Sequence, residues 1–428
     1  MDFTVEGKIF INESFEKACI GIENGKIKEI KKILKSENHF DFKNKLILPA
    51  GVDMHVHFRD PGFTYKEDFK SGSLSALCGG ISCVFDMPNT KPQTTSVQAL
   101  NDKISKFKNK SFVDFGLYSN INDNNMDNIK SLAKRCNGFK IYLGSSTNSL
   151  LLSKQNLREA LEKVSETGKV VLFHAEDEEI IKKNKDVENN LVDYTKKRSF
   201  DCEVQSIKHI FNSSKNIEVK AHICHLSSIE GVELIKTRHS NFSCGVTPHH
   251  SLLDIDTIHS SYSFYKVNPP IRSSDDRKAV FDALKNGTVD NLESDHAPHT
   301  IDEKDVDFFE APPGIPGVET MYPLFLYLAK KGVISFNCVI SSICSRPAEI
   351  VGISKGLLKK DFDADFIVVD LKNITRIKSS DLHSKCGWTP FENWPAIFPE
   401  SVFIRGEKLI DEKEIQSSPG YGNFVGEQ

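Results

Sequence analysis

ISCVFDM (81–87), SVQALNDKISKFKNK (96–110) and SFVDFGLY (111–118) are the stretches that decide the fold of this chain. The first and third are short runs of apolar and β-branched residues, which are typical of buried strands. The second has the apolar spacing of an amphipathic helix. Two strands joined by a helix predict a βαβ unit, in which the two strands run parallel.

The same alternation continues along the chain. It comprises a helix near Met126–Cys136, the strand GFKIYLG (138–144), a helix at Lys154–Thr167, the strand KVVLFHAE (169–176), a helix near Cys202–Phe211 and the stretch VKAHICHLSS (219–228). Alternation over about 300 residues predicts an α/β fold with a parallel sheet, and this length fits a closed (β/α)8 barrel of the TIM type. An open, doubly wound sheet is the alternative. No GxGxxG follows an early strand, which argues against the dinucleotide-binding form of that sheet.

Both ends of the chain differ from this pattern, because they are rich in strands and poor in helices. Asn24-Gly25 separates two β-like runs and is a strong hairpin signal. The segments 357–371 and 401–410 have a similar character. We therefore expect strands rather than helices at both ends.

The composition excludes several classes of protein. The chain has 428 residues, of which 39% are hydrophobic and 27% charged, and its formal net charge is −4, so it lacks the basic excess that binding to nucleic acid requires. No apolar run approaches the roughly 20 residues of a membrane helix, and MDFTVEGKIF (1–10) has no signal-peptide pattern. The ten cysteines are scattered singly without a CxxC pair, so we expect reduced thiols in a cytoplasmic protein.

Four histidines stand at or near the ends of predicted strands. His55 and His57 follow the apolar run LILPAGV (46–52) and, being two positions apart on a strand, point to the same side. His174 and His225 each end a later apolar run. Chance His-x-His pairs and single structural histidines are common, but repetition in successive units indicates a site. In barrels of this kind, active sites form at the carboxyl ends of the strands.

Two further residues complete a candidate metal site. Asp295 lies between a strand and a turn that contains proline, where it could instead cap a helix. Lys140 is flanked by Phe139 and Ile141 and points away from both, which in a barrel is toward the interior; the alternative is a lysine that extends to the rim. A buried ammonium beside cations is unfavourable, whereas reaction with carbon dioxide gives an anionic carbamate that can bridge two ions. Nitrogen and oxygen ligands suit zinc, or else manganese or cobalt.

Nine motifs occur in the order found in dihydroorotases, a family within the amidohydrolase superfamily that the chain resembles from about Gly51 to Gly317. They are HVHFRDPG (55–62), DMPNTKP (86–92), GFKIYLGSS (138–146), FHAED (173–177), CHLSS (224–228), VTPHH (246–250), KVNPP (266–270), SDHAPH (294–299) and APPGIPG (311–317). The resemblance implies a catalytic barrel over residues 50–353. It also implies a small flanking β-sandwich built from residues 1–49 and 354–428.

The resemblance also implies a role for each candidate residue. His55, His57 and Asp295 would hold the more buried of two zinc ions, His174 and His225 would hold the other, and N6-carboxylated Lys140 would bridge the two. Asp295 would also be the catalytic residue that transfers the proton. The substrate would be bound by Arg59, Asn89, Asn268 and His299, and by the backbone of Pro313 and Gly314.

Some positions near these motifs need a separate interpretation. Some relatives use a cysteine at the position of Cys224 for an additional metal, but they also carry a glutamate where this chain has Gly245. We therefore expect no third metal at Cys224 and interpret this residue as a small apolar side chain. His249 and His250 could be ligands on spacing alone, but the family pattern makes them structural.

The activity that the resemblance implies is the reversible, zinc-dependent interconversion of L-dihydroorotate and N-carbamoyl-L-aspartate in de novo pyrimidine (UMP) biosynthesis. Substrate choice would depend on Arg59, because a guanidinium recognises the carboxylate on the dihydroorotate ring. The alternative for Arg59 is a surface ion pair with Asp60 or Glu67. The acidic segment 300–309 is a candidate for a mobile lid over the site.

Two other functions stay open from the sequence. One is a different cyclic amidohydrolase, an allantoinase or a dihydropyrimidinase, which would share the metal site and differ in the substrate pocket. The other is a non-catalytic, dihydroorotase-like scaffold of a transcarbamoylase, although such proteins lose metal ligands. The expected partner is the small-molecule substrate. Binding to nucleic acid or to a membrane is not expected. A homodimer is a family expectation, and a transcarbamoylase partner stays open.

Overall fold

The computed structural model describes residues 1–11, 13–145, 150–184 and 188–426, and most of its strands fall into two eight-stranded sheets. The N-terminal strands are β1 (Phe3–Ile11), β2 (Ser14–Glu23), β3 (Lys26–Lys31) and β4 (His39–Pro49). The central strands are β5 (Gly51–Val56), β6 (Ile81–Asp86), β7 (Asp114–Asn120), β8 (Gly138–Tyr142), β9 (Val170–His174), β10 (Ala221–Ile223), β11 (Phe242–Val246) and β12 (Asn291–Leu292). The C-terminal strands are β13 (Phe366–Val369), β14 (Thr375–Arg376), β15 (Pro395–Ala396), β16 (Ser401–Ile404), β17 (Glu407–Asp411) and β18 (Glu414–Ile415).

Helices separate the central strands and follow the last of them. They are α1 (Phe69–Cys78), α2 (Val97–Lys108), α3 (Ile129–Ala133), α4 (Leu157–Ser165), α5 (Glu178–Lys183), α6 (Leu191–Lys197), α7 (Phe200–Ser213), α8 (Ile229–Ile235), α9 (Pro248–Leu252), α10 (Ser274–Lys285), α11 (Ile301–Lys304), α12 (Met321–Lys330), α13 (Phe336–Ile340) and α14 (Arg346–Val351). Side-chain caps fix where several of them begin. Asp68, for example, accepts a hydrogen bond from the backbone of Ser71 and caps α1.

The strands β5 to β12 form a nearly closed barrel. They pair in chain order, and each neighbouring pair is parallel. The ring is joined just beyond β12, where Val56 bridges His296 in parallel and the backbone N–H of His57 donates to the carbonyl of His296 at 2.8 Å. This junction excludes the open, doubly wound sheet and confirms the barrel.

Alternation along the strands separates two hydrophobic cores. On β6, Cys83 and Phe85 join a cluster that also contains Met54 and Leu172, inside the barrel. Val84, between them, packs in the larger cluster that the helices cover. This is the period of two expected for a strand that is buried on both sides.

The two ends of the chain build the second sheet together. Its order is β18-β17-β16-β13-β4-β1-β2-β3, and all neighbouring pairs are antiparallel except β1 with β4. The Asn24-Gly25 hairpin is confirmed: Glu23 pairs with Lys26, and Asn24 and Gly25 have φ of 53° and 74°. Side chains from distant strands, such as Ile27 and Phe403, share one hydrophobic core, so the sheet curls around it.

Several predicted elements differ in length from those observed. The expected helix at Lys154–Thr167 opens with a 3-10 turn, and only Leu157–Ser165 is α-helical. Within 357–371 only Phe366–Val369 is a strand. No helix in the described ranges is both long enough and apolar enough to span a membrane.

Candidate functional site

The candidate metal ligands converge at the carboxyl ends of the barrel strands. His55 lies in β5, Lys140 in β8 and His174 at the end of β9. His225 and Asp295 lie just beyond β10 and β12, and their φ angles are 39° and 44°. A left-handed conformation is strained for residues other than glycine, and strain of this kind concentrates at functional sites.

One carboxylate oxygen faces two imidazoles. Oδ1 of Asp295 lies 3.0 Å from Nε2 of His57 and 3.3 Å from Nε2 of His55. Burial acts to raise the pKa of Asp295, but attraction to His55 and the hydrogen bond with His57 outweigh burial and hold this pKa well below its usual value. Asp295 is therefore an anion at neutral pH. His55, His225 and Asp295 also bring one ligand atom each within 4.8 Å of one another.

A second imidazole pair lies across the barrel mouth. Nδ1 of His174 is 3.0 Å from Nε2 of His225, and burial lowers the pKa of both residues. Neutral imidazole is the form that binds metal ions. Nε2 of His174 lies 2.8 Å from Glu176, which is itself paired with Arg198. This carboxylate orients the imidazole, and its role could be read from the sequence only as part of the FHAED motif.

Lys140 is buried without an anionic partner. Its side chain is almost fully buried, and within the described part of the chain no carboxylate lies within ion-pair distance of Nζ. Nζ instead lies 3.1 Å from Sγ of Cys224 and 5.3 Å from the ring centre of Tyr142. The interpretation of Cys224 as only an apolar side chain was incomplete, because its thiol packs in the barrel core and also contacts Lys140.

Glu293 connects the strands beneath the site and was missed as a functional residue. Its carboxylate accepts the backbone N–H of His225 at 2.6 Å and lies 3.2 Å from Nε2 of His222 and 3.4 Å from Nδ1 of His55. A Cβ atom at Gly245 would lie 2.7 Å from Cδ of Glu293, so glycine makes room for this carboxylate. The available signal was its position two residues before Asp295.

Arg59 has no carboxylate partner among the described residues. Its Nε donates to the carbonyl of Pro298 at 3.1 Å, and Nη2 lies 3.1 Å from Nε2 of His299. The alternative of an ion pair with Asp60 or Glu67 is wrong. Asp60 pairs with Lys110, and Glu67 accepts hydrogen bonds from the hydroxyls of Ser71 and Ser384.

The remaining predicted binding residues are held by their neighbours. Oδ1 of Asn89 lies 2.7 Å from Nδ1 of His57, and Oδ1 of Asn268 accepts a hydrogen bond from the hydroxyl of Tyr194. Nε2 of His299 lies 3.1 Å from the carbonyl of Pro313. Burial, and then the charge of Arg59, lower the pKa of His299 to about 3, so its imidazole is neutral above that pH.

The segment 300–309, expected as a mobile lid, is anchored. Thr300 caps α11 in a capping box with Glu303. Lys304 is fully buried, and its Nζ donates to the carbonyls of Lys266, Pro312 and Gly314. These hydrogen bonds tie the segment to the wall of the site. Its acidic composition gave no indication of them.

All the predicted metal-binding and substrate-binding residues line one cavity of about 210 Å³. It is lined by His55, His57, Arg59, Asn89, Lys140, His174, His225, Asn268, Asp295, His299, Pro313 and Gly314, with Lys66 and Tyr142 among the others. His249 and His250 do not line it. His250 lies 2.9 Å from the carbonyl of Pro269, which supports the structural interpretation of this residue.

Comparisons with known proteins agree with this geometry. The sequence model of the amidohydrolase family matches residues 46–408. The dihydroorotase of Methanosarcina acetivorans is 38% identical over 98% of this chain and 94% of its own length, and that of Thermoplasma acidophilum is 39% identical over 99% and 98%. Among solved structures, the L-hydantoinase (dihydropyrimidinase) from Arthrobacter aurescens superposes with a TM-score of 0.94 at 26% identity, over 99% of each chain.

Proposed function

We propose that the chain interconverts L-dihydroorotate and N-carbamoyl-L-aspartate. It belongs to the amidohydrolase family, with the dihydroorotases, and is a hydrolase of cyclic amides. In the hydrolytic direction, water adds to a ring carbonyl carbon, the C–N bond breaks and the nitrogen takes a proton. In the synthetic direction, the same bond forms with loss of water. We place this reversible step in de novo pyrimidine biosynthesis, in the cytoplasm.

The unpaired guanidinium of Arg59 is the observation that carries this proposal. It borders the cavity that contains Asp295 and the four histidines, and it lacks a carboxylate partner in the described ranges. A partly buried cation without a counterion is unfavourable, and a bidentate carboxylate would satisfy it. Dihydroorotate carries such a carboxylate on its ring, whereas uncharged cyclic amides do not.

The residues present fit a pair of zinc ions. His55, His57 and Asp295 would hold one ion, and His174 and His225 the other. Neutral imidazoles and an ionised carboxylate are the donors that zinc prefers. When bound, such a pair acidifies the attacking water and polarises the carbonyl group.

Lys140 would bridge the pair as a carbamate. The ammonium would first lose a proton, and the resulting amine would add to carbon dioxide and lose a second proton, which converts the cation into an anion with two oxygen donors. The absence of a carboxylate within ion-pair distance of Lys140, among the described residues, supports this modification.

Asp295 would move the proton during the reaction. Its carboxylate would accept the proton that the water loses and pass it to the ring nitrogen as the C–N bond breaks. The substrate carboxylate would be bound by Arg59, with Asn89 and His299 beside it. Asn268 and the backbone of Pro313 and Gly314 would hold the rest of the ring.

A second candidate function comes from the structural comparison. The A. aurescens protein is named as a hydantoinase, so the barrel and its metal site are compatible with hydrolysis of neutral rings such as hydantoins, dihydropyrimidines or allantoin. The cation at Arg59 favours the acidic substrate. A scaffold without activity is disfavoured, because every expected ligand lines the cavity.

A side-by-side assay tests the proposal. The purified chain is incubated with dihydroorotate, hydantoin, dihydrouracil and allantoin, and its metal content is measured. We expect turnover of dihydroorotate in strong preference to the three neutral rings, and about two zinc ions in this site. Turnover of a neutral ring in preference would favour the second candidate, and the absence of both zinc and turnover would favour a scaffold. The variant Lys140→Ala should lose metal from this site and activity together.

A further inference from the structure

A second group of metal-binding side chains lies away from the barrel mouth. Cys78 ends α1, Glu319 precedes α12, and His383 lies in the C-terminal segment between β14 and β15. We call these three residues the Cys78 cluster. None of them lines the cavity described above, and the proposed reaction uses none of them.

The three side chains offer a compact set of ligand atoms. Sγ of Cys78 lies 3.8 Å from Nε2 of His383, and Nδ1 of His383 lies 2.8 Å from Oε1 of Glu319. The second oxygen of Glu319 accepts the backbone N–H of His383 at 2.8 Å. One ligand atom from each residue lies within 4.8 Å of the others.

The 3.8 Å between Sγ of Cys78 and Nε2 of His383 is close to the separation of two ligands on one zinc ion. Zn–S and Zn–N bonds of about 2.3 and 2.0 Å at a tetrahedral angle place the two ligand atoms roughly 3.5 Å apart. A thiol is a poor ligand for calcium or magnesium, which prefer oxygen, but a good one for zinc. The combination of sulfur, nitrogen and oxygen donors therefore selects a soft to borderline divalent ion.

The cluster opens onto a cavity of about 250 Å³. Arg376, Pro399 and Lys413 contribute to its wall, so the barrel and the sheet of the chain ends meet there. Glu319 is buried, whereas Cys78 and His383 are partly exposed, so an ion can reach them from the solvent. Three protein ligands and an open side leave a fourth position for water.

We propose that Cys78, Glu319 and His383 bind a zinc ion that fastens the C-terminal segment to the barrel. Binding converts the thiol of Cys78 to a thiolate and releases its proton to the solvent. The ion then links α1, Glu319 (two residues before α12) and the segment 375–383. The site is separate from the two-ion centre, and its occupancy does not require the proposed reaction.

Cobalt substitution of the full-length protein tests this site. The apoprotein is prepared with a chelator and titrated with Co²⁺, and near-ultraviolet absorption from thiolate-to-cobalt charge transfer is recorded. The two-ion centre as proposed has no thiolate ligand, but Cys224 lies beside it in a group with His55 and Glu293, so the part of this absorption that disappears with Cys78 reports the Cys78 cluster. We expect Cys78→Ser and His383→Gln each to abolish it and to lower bound zinc by about one equivalent per chain. The control Cys338→Ser, at another partly exposed cysteine, should keep both signals.

A second measurement keeps the test decisive if the variants fold poorly. In the wild-type chain, alkylation of Cys78 is followed by peptide mass spectrometry with and without Zn²⁺. Coordination should slow this alkylation by about tenfold or more and leave Cys338 unaffected. Equal alkylation rates, or cobalt absorption that the loss of Cys78 leaves unchanged, would overturn the proposal. If the chain did not turn over dihydroorotate, the cobalt and alkylation signals would still be expected. Failure of the proposed activity can therefore be distinguished from failure of the Cys78 cluster.

Discussion

Nε2 of His57 lies 3.0 Å from Oδ1 of Asp295, although the two residues are 238 positions apart in the sequence. His57 follows the first strand of the barrel, and Asp295 follows the last. Their contact therefore exists only in the closed ring. The same closure sets His55 beside Asp295, so the carboxylate and both histidines of the HVH motif are positioned together.

Replacing the proton-transferring carboxylate should reduce turnover strongly. In Asp295→Asn the side chain keeps its shape but cannot accept a proton, so kcat should fall by about 10²–10⁴-fold or more. Steady-state assays with dihydroorotate measure this loss. Asp305→Asn, an exposed acid on the same side of the barrel, is the control and should retain wild-type kcat. Comparable loss in both variants would contradict the assignment.

Removing the guanidinium should affect the acidic substrate selectively. A hydrogen bond to a charged group contributes about 1.5–3 kcal/mol, so Arg59→Met should lower kcat/KM for dihydroorotate by about 10- to 150-fold. Residual activity on a neutral ring such as hydantoin should not fall. The matched control is Arg158→Met, on the exposed surface of α4. A parallel loss on charged and neutral rings would argue against carboxylate recognition by Arg59.

Loss of the buried amino group of Lys304 should weaken the wall of the site. Lys304→Met takes the side-chain donor from the carbonyls of Pro312 and Gly314, and from that of Lys266, which keeps the backbone N–H of Gly314. This loss should lower the free energy of unfolding by about 2–4 kcal/mol. The KM for dihydroorotate should also rise, because two of these carbonyls belong to the loop of Pro313 and Gly314. Urea denaturation and steady-state kinetics measure the two effects. Lys278→Met, exposed on α10, should change neither.

Acid should destabilise the fold partly through His250. Burial lowers its pKa from 6.5 to about 4, so between these values the unfolded chain binds more protons than the native one. The free energy of unfolding therefore decreases as the pH falls from 6.5 to 4, by about 3 kcal/mol for this group, and is unaffected above 6.5.

The variant His250→Gln cannot take up this proton. Its free energy of unfolding, measured in urea at several pH values and referred to pH 7.5, should fall less steeply below pH 6.5 than that of the wild type. His259→Gln, at an exposed histidine, serves as the comparison. If His250→Gln followed the wild-type pH dependence, His250 would not be the source of this acid sensitivity.

The barrel could be predicted because alternation of strands and helices is local. A short apolar run indicates each strand, and closure of the ring then brings the residues at the strand ends together. For this reason, residues as distant as Lys140 and His225 could be assigned to one site from the sequence alone. The domain boundaries themselves stay a prediction.

The supporting contacts could not be predicted, because they depend on packing between segments that are distant in sequence. Glu293 reaches the backbone of His225 across 68 positions, and only the space beside Gly245 permits it. Lys304 looked like part of a charged loop but satisfies carbonyls on two other segments. The strand β12 has only two residues, Asn291 and Leu292, and is likewise held by its neighbours rather than by its own propensity.

Closure of the ring at His296 has a consequence for how the enzyme would lose activity on heating. β12 has only two residues, and past it the barrel is joined through Val56 and His57. Elements held by few contacts open at lower free energies than the rest of a folded protein. Parting of this junction would separate Asp295 from the two histidines while the other helices and strands stay folded. On mild heating, catalytic activity should therefore be lost at a lower temperature than secondary structure. The thermal stability of the activity is then limited by this junction rather than by the stability of the whole fold.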